Sequence, residues 1–388
     1  MPYLVATRFY CHRQMTDTLA FFFHRLLMCA MQITSLRSVV EVLVVLLSMA
    51  IAAAPATAQV VGGKHAFKFL TLSPSARATA LGGALPTVRD DDVALAAFNP
   101  AALNPAMSGQ LALQHNFLLA GVQHSYAAYA HHVPALSATL HASIQHVGYG
   151  DIPMTDEFGN IQGQVRAAET AFTLSAARML SPKWSLGLHV RYALSALDMY
   201  SASALSTDVG ALYEDTARLF SAAAVVRHAG TQLTRYQDVR EALPFDLQLA
   251  FSKRLRYLPF RLTVIAHHLH QWNIRYDDPN LRPTSSPILG SGGGEPTGSN
   301  PAIDNFFRHL IFNGEFLLGR TESFRLRLGY NHLRRRELTV RNFRSLAGFS
   351  AGVGFRVSRF RVDFGYASYH IAGGLVHIGL STNMRELF

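Results

Sequence analysis

From Gln110 to the end, the chain is a series of segments in which apolar and polar residues alternate. In residues 244–252, Phe245, Leu247, Leu249 and Phe251 fall on one face, with Asp246, Gln248 and Ser252 on the other. Residues 323–331 set Phe324, Leu326, Leu328 and Tyr330 against Arg325, Arg327 and Asn331, and residues 359–367 set Phe360, Val362, Phe364 and Tyr366 against Arg361 and Asp363. Successive side chains of a strand point to opposite faces, so each segment has one oily and one wet side. The rule predicts about fourteen strands. They lie near 110–117, 121–131, 136–147, 165–179, 184–196, 202–213, 217–228, 244–254, 259–271, 306–318, 323–333, 345–356, 359–370 and 374–382.

A soluble sandwich alternates in the same way, and the connections separate the two classes. Odd-numbered junctions after the first are mostly long: 148–164, 197–201, 229–243, 272–305 and 334–344. Even-numbered junctions are tight, as at Val133-Pro134-Ala135, Ser181-Pro182-Lys183 and Glu214-Asp215-Thr216. Long loops at one end, short turns at the other and an even strand number point to an all-β outer-membrane barrel. Closure pairs every backbone donor and acceptor within lipid, which an open sheet cannot do. Tyr149, Trp184, Tyr200, Tyr213, Tyr257, Trp272 and Phe307 recur near segment ends, where an interfacial girdle is expected.

Residues 62–107 break the alternation. Ser73 and Pro74 stand as N-cap and first position of a short helix, with Gly82 and Gly83 as its stop. Asp92 can cap a second apolar turn over Val93 to Phe98, ended by Asn99-Pro100 and followed by Asn104-Pro105. This block is the right size for a plug inside the barrel. Ahead of it, Arg37, the apolar run Val39–Ala54 and Ala56-Thr57-Ala58 form a signal peptide with a small-x-small cleavage site. The expected organisation is a leader over 1–58, whose first 27 residues read as a mis-assigned start or an extended leader; a plug over 59–109; and a barrel over 110–388. The mature chain then begins at Gln59, exported to the outer membrane.

Composition narrows the chemistry. Both cysteines, Cys11 and Cys29, lie in the leader, so the processed chain has no disulfide, thiolate or cysteine–metal site. The formal net charge is +10, and +8 once the four Arg and two acidic residues of 1–58 are left out. The basic residues are spread over many short segments without a nucleic-acid-binding motif, so lipopolysaccharide phosphates or acidic partners are the expected counter-charges. Gly348-Phe349-Ser350-Ala351-Gly352 matches G-x-S-x-G. A nucleophile elbow needs a strand-to-helix turn, whereas alternation here continues through Gly352 and Gly354; glycines that make room for a plug are the better account. In a strand His268 and His270 share a face while His267 points away, so no coordination sphere is completed. Asp90-Asp91-Asp92 lacks the spacing of a calcium loop and reads as a cap beside an Arg-paired acidic turn. No catalytic residue, cofactor or metal is expected. His189, Arg191, Asp246, Gln248, His309, Asn313, Glu315, Arg325, Arg327, Arg356, Arg361 and Asp363 are the candidate lumen residues.

The combination of GGK-x-AF-x-FL, SAR-x-x-ALGG, the Asp run and twin Asn-Pro resembles the mature N-terminus of the PorQ family, barrel components of the type IX secretion system. A looser form of SAR-x-x-x-LGG with Asn-Pro-Ala is shared with PorV and other barrels related to the fatty-acid transporter FadL. The resemblance implies a non-enzymatic anchor for a PorZ-like surface protein, beside a PorU-like sortase and a PorV-like barrel, in a complex that processes cargo and attaches it to lipopolysaccharide. The alternative is a FadL-like transporter of hydrophobic small molecules.

Three residue sets follow as candidate sites. The plug is expected to be held by Arg77, Gly82, Gly83, Asp90, Asp91, Asp92, Asn99, Pro100, Asn104 and Pro105, with Arg77 paired to the acidic turn or to lumen carboxylates. Partner contact is expected at Tyr149, Asp156, Glu157, Phe158, Trp272, Tyr276, Asp277 and Asp278, where aromatic anchors sit beside charges. Arg334, Arg335, Arg336, Arg341 and Arg344 form the expected basic rim for lipopolysaccharide or an acidic partner.

Overall fold

The structure is a computed structural model and describes residues 65–236, 240–275, 301–319, 322–338, 345–370 and 373–386. The leader, its cleavage site and the GGK motif lie outside the described residues. Fourteen antiparallel strands close into a barrel. They are β1 (Gln110–Phe117), β2 (Gln123–Val133), β3 (Ala138–Thr155), β4 (Ile161–Met179), β5 (Trp184–Leu197), β6 (Tyr200–Asp215) and β7 (Phe220–Thr234). The second half comprises β8 (Asp246–Arg254), β9 (Phe260–Ala266), β10 (Leu310–Leu318), β11 (Phe324–Asn331), β12 (Phe349–Val357), β13 (Phe360–His370) and β14 (Gly373–Asn383). Each strand pairs with its chain neighbours, and β1 closes on β14 from Gln110↔Asn383 to Phe117↔Val376. The rim of tight turns is called the turn end below, and the opposite rim the loop end.

The alternation divides the residues as a lipid-facing wall requires. Outward positions such as Leu174, Leu328, Phe251 and Tyr366 are exposed, while inward Thr173, Arg327, Ser252 and Asp363 are buried. A sheet with oil outside and buried polar groups inside inverts a soluble core, which suits a wall whose solvent is lipid. Of the candidate lumen residues, His189, Arg191, Gln248, His309, Asn313, Glu315, Arg325, Arg327, Arg361 and Asp363 are buried; Asp246 is half-buried and Arg356 is partly exposed.

Four segments depart from the sequence expectation. Residues 148–164 are not a loop: β3 and β4 continue as a two-stranded arm to a turn at 156–160. Pairing with β2 ends at Gln123↔Gly148 and with β5 at Leu197↔Ala167, so among the described residues no other strand pairs with the arm. A bulge between Gly148 and Asp151 shifts the register, bringing Ile152 opposite Val165. Strand β9 stops at Ala266, where His268 takes a left-handed φ of 55° and turns the chain. Residues 301–308 and 332–337 are short helices, α2 (Pro301–Arg308) and α3 (His332–Glu337), because β10 and β11 end against the plug rather than in solvent; the plug helix α1 spans Ala76–Ala80.

Candidate functional site

The described part of the plug, residues 65–109, runs down the lumen from the loop end to the start of β1 at the turn end. His65 bridges Ala242 in the segment between β7 and β8, and Gly109 leads into β1. Its local structure is a chain of short capped turns. Ser75, not Ser73, caps α1, its hydroxyl accepting from the Ala78 N–H; Ser73 instead donates to the Ser75 carbonyl at 3.2 Å. Pro74 therefore precedes the cap, and the helix is one turn shorter. Asp92 Oδ1 accepts from Ala94 N–H at 3.2 Å and opens the 3-10 turn Val93–Ala97. Asn99 and Asn104 each cap the proline turn that follows, accepting from Ala101 N–H and Ala106 N–H at 2.9 Å. Their amide groups donate onward, Asn99 to the Pro86 carbonyl and Asn104 to the Asp90 carbonyl, both at 2.8 Å. Twin Asn-Pro therefore solves one problem twice, because proline tolerates the first helical position and asparagine satisfies the donors there.

Small residues let the plug touch the wall. A side chain on Gly329, Gly352 or Gly365 would collide with Gly82, Ala80 or Ala76, so α1 lies directly on β11, β12 and β13. Gly187 and Gly210 make the same room for Pro100 and Asn99 against β5 and β6. Gly82 and Gly83, with φ of 84° and 108°, end α1 as expected. Ser350 is part of this seat: its hydroxyl donates to the Ala80 carbonyl and accepts from Gly82 N–H.

The turn-end half is an ion-pair lattice. Arg77 is fully buried and forks onto Glu315 with two contacts of 2.9 Å, while its other nitrogen reaches Asp90 at 2.6 Å and Asp92 at 3.4 Å. Glu315 also takes Arg327 at 3.0 Å and Arg261 at 3.1 Å, and Arg327 continues to Asp363 at 2.6 Å. Arg325 meets Asp90 at 3.5 Å, while Asp91 pairs with Arg356 and Arg361. Arg89 ties the same part of the plug to Glu214 at 2.7 Å. Burial works against the charge of Arg77, but Asp90, Glu315 and Asp92 raise its pKa well above the ordinary value. Burial alone would raise the Asp90 carboxyl; Arg77, Arg325 and Arg361 outweigh it and hold the group well below the usual carboxylate range.

The loop-end half has a different chemistry. Ala66, Phe67, Phe69 and Leu70 pack against Val147, Ala171, Ala193, Ala202, Ala204 and Leu243. Tyr149, expected on the outer surface, is turned inward onto this cluster, with its hydroxyl on Glu169. Lys68, between Phe67 and Phe69, and Thr71, after Leu70, are exposed. The arm continues the apolar theme above the mouth: Ile152 and Val165 are paired on the face that continues the inner wall, while Asp151 and Arg166 pair on the other. Beside the cluster, β7 outruns β8, whose first pair is Arg227↔Asp246. A hollow of about 400 Å³ occupies this notch, lined by His228, Thr231, Arg240, Glu241, Phe245 and the same Leu243.

The other predicted residues scatter. Asp156 organises the arm's tip, accepting from the N–H groups of Phe158 and Asn160; Glu157 is exposed, and Phe158 is 86% exposed. Trp272 stacks on His309 at 5.5 Å. Tyr276, Asp277, Asp278, Arg341 and Arg344 lie outside the described residues. Of the remaining arginines, Arg334 lies over the Tyr369 ring at 4.6 Å, Arg335 donates to the Ser345 carbonyl, and Arg336 pairs with Asp304 at 2.6 Å. His267 and His268 share a 2.5 Å contact through their Nδ1 atoms, while His309 spans the carbonyls of His267 and Trp272. Neither the notch nor the arm's face was visible in sequence: the alternating patterns at 217–228 and 244–254 are nearly equal in length, and only the folded β7 runs past β8.

No protein-family model and no curated protein matches this chain. Solved structures do. The Pseudomonas putida toluene transporter TodX is 10% identical with a TM-score of 0.45, covering 80% of this chain and 96% of its own. The CymD monoaromatic hydrocarbon channel is 13% identical at a TM-score of 0.46, covering 81% and 97%. A Pseudomonas aeruginosa FadL homologue is 10% identical at 0.44, covering 80% and 98%. These neighbours are FadL-like outer-membrane barrels.

Proposed function

We propose that this plugged outer-membrane barrel, exported with a cleaved leader, passes a small hydrophobic compound from its loop end. The observation that carries the reading is the apolar compartment built by Phe67, Phe69 and Leu70 against Val147 and Leu243. It lies below a mouth bordered by the apolar face of the arm, and Leu243 belongs equally to the notch beside β7. An apolar solute can replace the contacts of Phe67, Phe69 and Leu70 there at little cost, provided that Tyr149 keeps its hydroxyl on the buried Glu169. The ion-pair lattice closes the turn-end half, which makes the notch the shorter way out. No step needs bond chemistry, so the protein acts without a catalytic residue or cofactor.

The test is uptake of a radiolabelled long-chain fatty acid and of a monoaromatic hydrocarbon by cells with and without the gene. Deletion is expected to reduce uptake of at least one, and Phe69→Glu to do the same with the barrel still folded. Unchanged uptake of both compounds overturns the reading.

The PorQ-like reading, a docking subunit of type IX secretion, draws on a different observation: the arm projects Phe158 and Ile161 far from the wall, where no barrel contact needs them. Affinity purification from gently solubilised outer membrane tests it. Recovery of a PorZ-like surface protein with PorU-like and PorV-like companions supports docking, and recovery of the barrel alone counts against it.

A further inference from the structure

The outer face of β1–β4 carries a line of polar residues where lipid is expected. His115, Ser125, His146 and Thr170 are consecutive cross-strand neighbours, at His115↔Ser125, Ser125↔His146 and His146↔Thr170. All four stand on the outward side, none of them buried. Apolar residues lie on both sides of the line. Toward the turn end come Leu113, Ala127, Ile144 and Phe172; toward the loop end come Phe117, with exposed Gln123 opposite it, and the hairpin tip Leu118, Leu119 and Val122. The line therefore sits next to the loop-end border of the oily band, below Gln123 and the outward Asp151–Arg166 pair. Polar side chains at such a position are costly unless they are paired.

They are half paired. His115 Nδ1 meets Ser125 Oγ at 3.0 Å, and His146 Nδ1 meets Thr170 Oγ1 at 2.9 Å. Each histidine uses one ring nitrogen within the wall, which leaves Nε2 to whatever lies against it. Immediately beside the line the wall is concave. A hollow of about 460 Å³ is lined mainly by Leu113, Ala127, Ile144, Ile378 and Leu380, with His115, Ser125 and His146 along its edge. Small Ala127, between Leu113 and Ile144 in register, makes the depression.

We infer that this hollow is a binding site for one membrane lipid, with an acyl chain in the depression and an ester, amide or hydroxyl oxygen of the lipid accepting from or donating to the histidine line. The surface faces the bilayer, so lipid is the surrounding medium. A second barrel presents a convex wall of the same kind, which meets a concavity over less area than a single chain lying in it. The two histidines select for a lipid whose hydrogen-bonding group lies at the top of its acyl chain, level with the edge of the hollow.

The experiment is native mass spectrometry of the full protein released from detergent containing dioleoylphosphatidylethanolamine. Two variants are compared with the wild type, a double His115→Leu/His146→Leu and a single Ala127→Trp; both place apolar groups on a lipid-facing wall, and folding is read by heat-modifiable migration. The wild type is expected to keep one lipid adduct under activation that strips the rest. Each histidine contributes roughly five-fold to its retention, the worth of an ordinary hydrogen bond, and Ala127→Trp abolishes it by filling the hollow. Adducts retained equally by the wild type and by whichever variants fold would overturn the site, as would no retained adduct on the wild type. A wild-type dimer that Ala127→Trp splits would overturn it in favour of a second copy.

Discussion

The two halves of the lumen solve the same packing problem with opposite chemistry. At the turn end the plug is fastened by Arg77, Asp90, Asp91 and Asp92 to Glu315, Arg325, Arg356 and Arg361. At the loop end it is held by Phe67, Phe69 and Leu70 in an apolar cluster. Ion pairs of this kind are unforgiving, since removing one partner strands a buried charge. Apolar contact is non-directional and can be exchanged for another apolar surface. One half therefore fixes where the plug sits, and the other can yield to a guest.

The sharpest way to break this contrast is Arg77→Ala. Loss of the partner shared by Glu315 and Asp90 is expected to destabilise the seated plug by about 3 to 5 kcal/mol, read as a lower urea midpoint and greater protease access to residues 65–109. Unchanged midpoints would mean that the lattice carries no weight. Next comes the fit of α1. Gly365→Val pushes a side chain into Ala76 and Ala80 and is expected to cost about 1 to 3 kcal/mol through overpacking, measured in the same unfolding assay; no loss would place α1 away from β13.

Acid separates the halves without mutation. Asp90 is held below its ordinary range by Arg77, Arg325 and Arg361 once the opposing effect of burial is overcome. Its contribution is thus complete above the unfolded carboxylate pKa, near ~4, and is lost as the pH falls through the lower folded value. Protease access at the turn-end half should rise below that point, whereas Phe69→Ala protein should show its deficit equally at neutral and acid pH. The smallest effect is expected at the arm. Phe158→Ala should change stability by less than about 0.5 kcal/mol, because an exposed side chain away from packing contributes little. A larger loss in unfolding would show that the arm's tip folds back onto the barrel.

The strands were legible because period two is imposed by the lipid–lumen boundary itself, and β1, β5 and β13 fall where the alternation places them. The Arg77 partners were legible only as a class: a lone arginine among small residues needs carboxylates, but Glu315 lies far along the chain and meets it through closure of the barrel. The arm was not legible, since Asp151, Pro153 and Asp156 read as loop residues until β3 and β4 pair across them. The partners of Arg334, Arg335 and Arg336 were not legible either. Their run reads as a solvated rim, and Tyr369, Ser345 and Asp304 come within reach only in the folded chain.

By itself the sequence determined the wall: which residues face oil, which face inward, how many strands alternate and where short turns join them, because each of these depends on neighbours a few residues apart. It also determined the plug's turns, through Asp92, Asn99 and Asn104 beside the groups they cap. Tertiary structure alone decided which lumen charges meet, which half of the plug is bolted and which is oily, and where the wall is notched or hollowed. Those features depend on residues brought together by closure over hundreds of positions, and no local pattern encodes the distance between them.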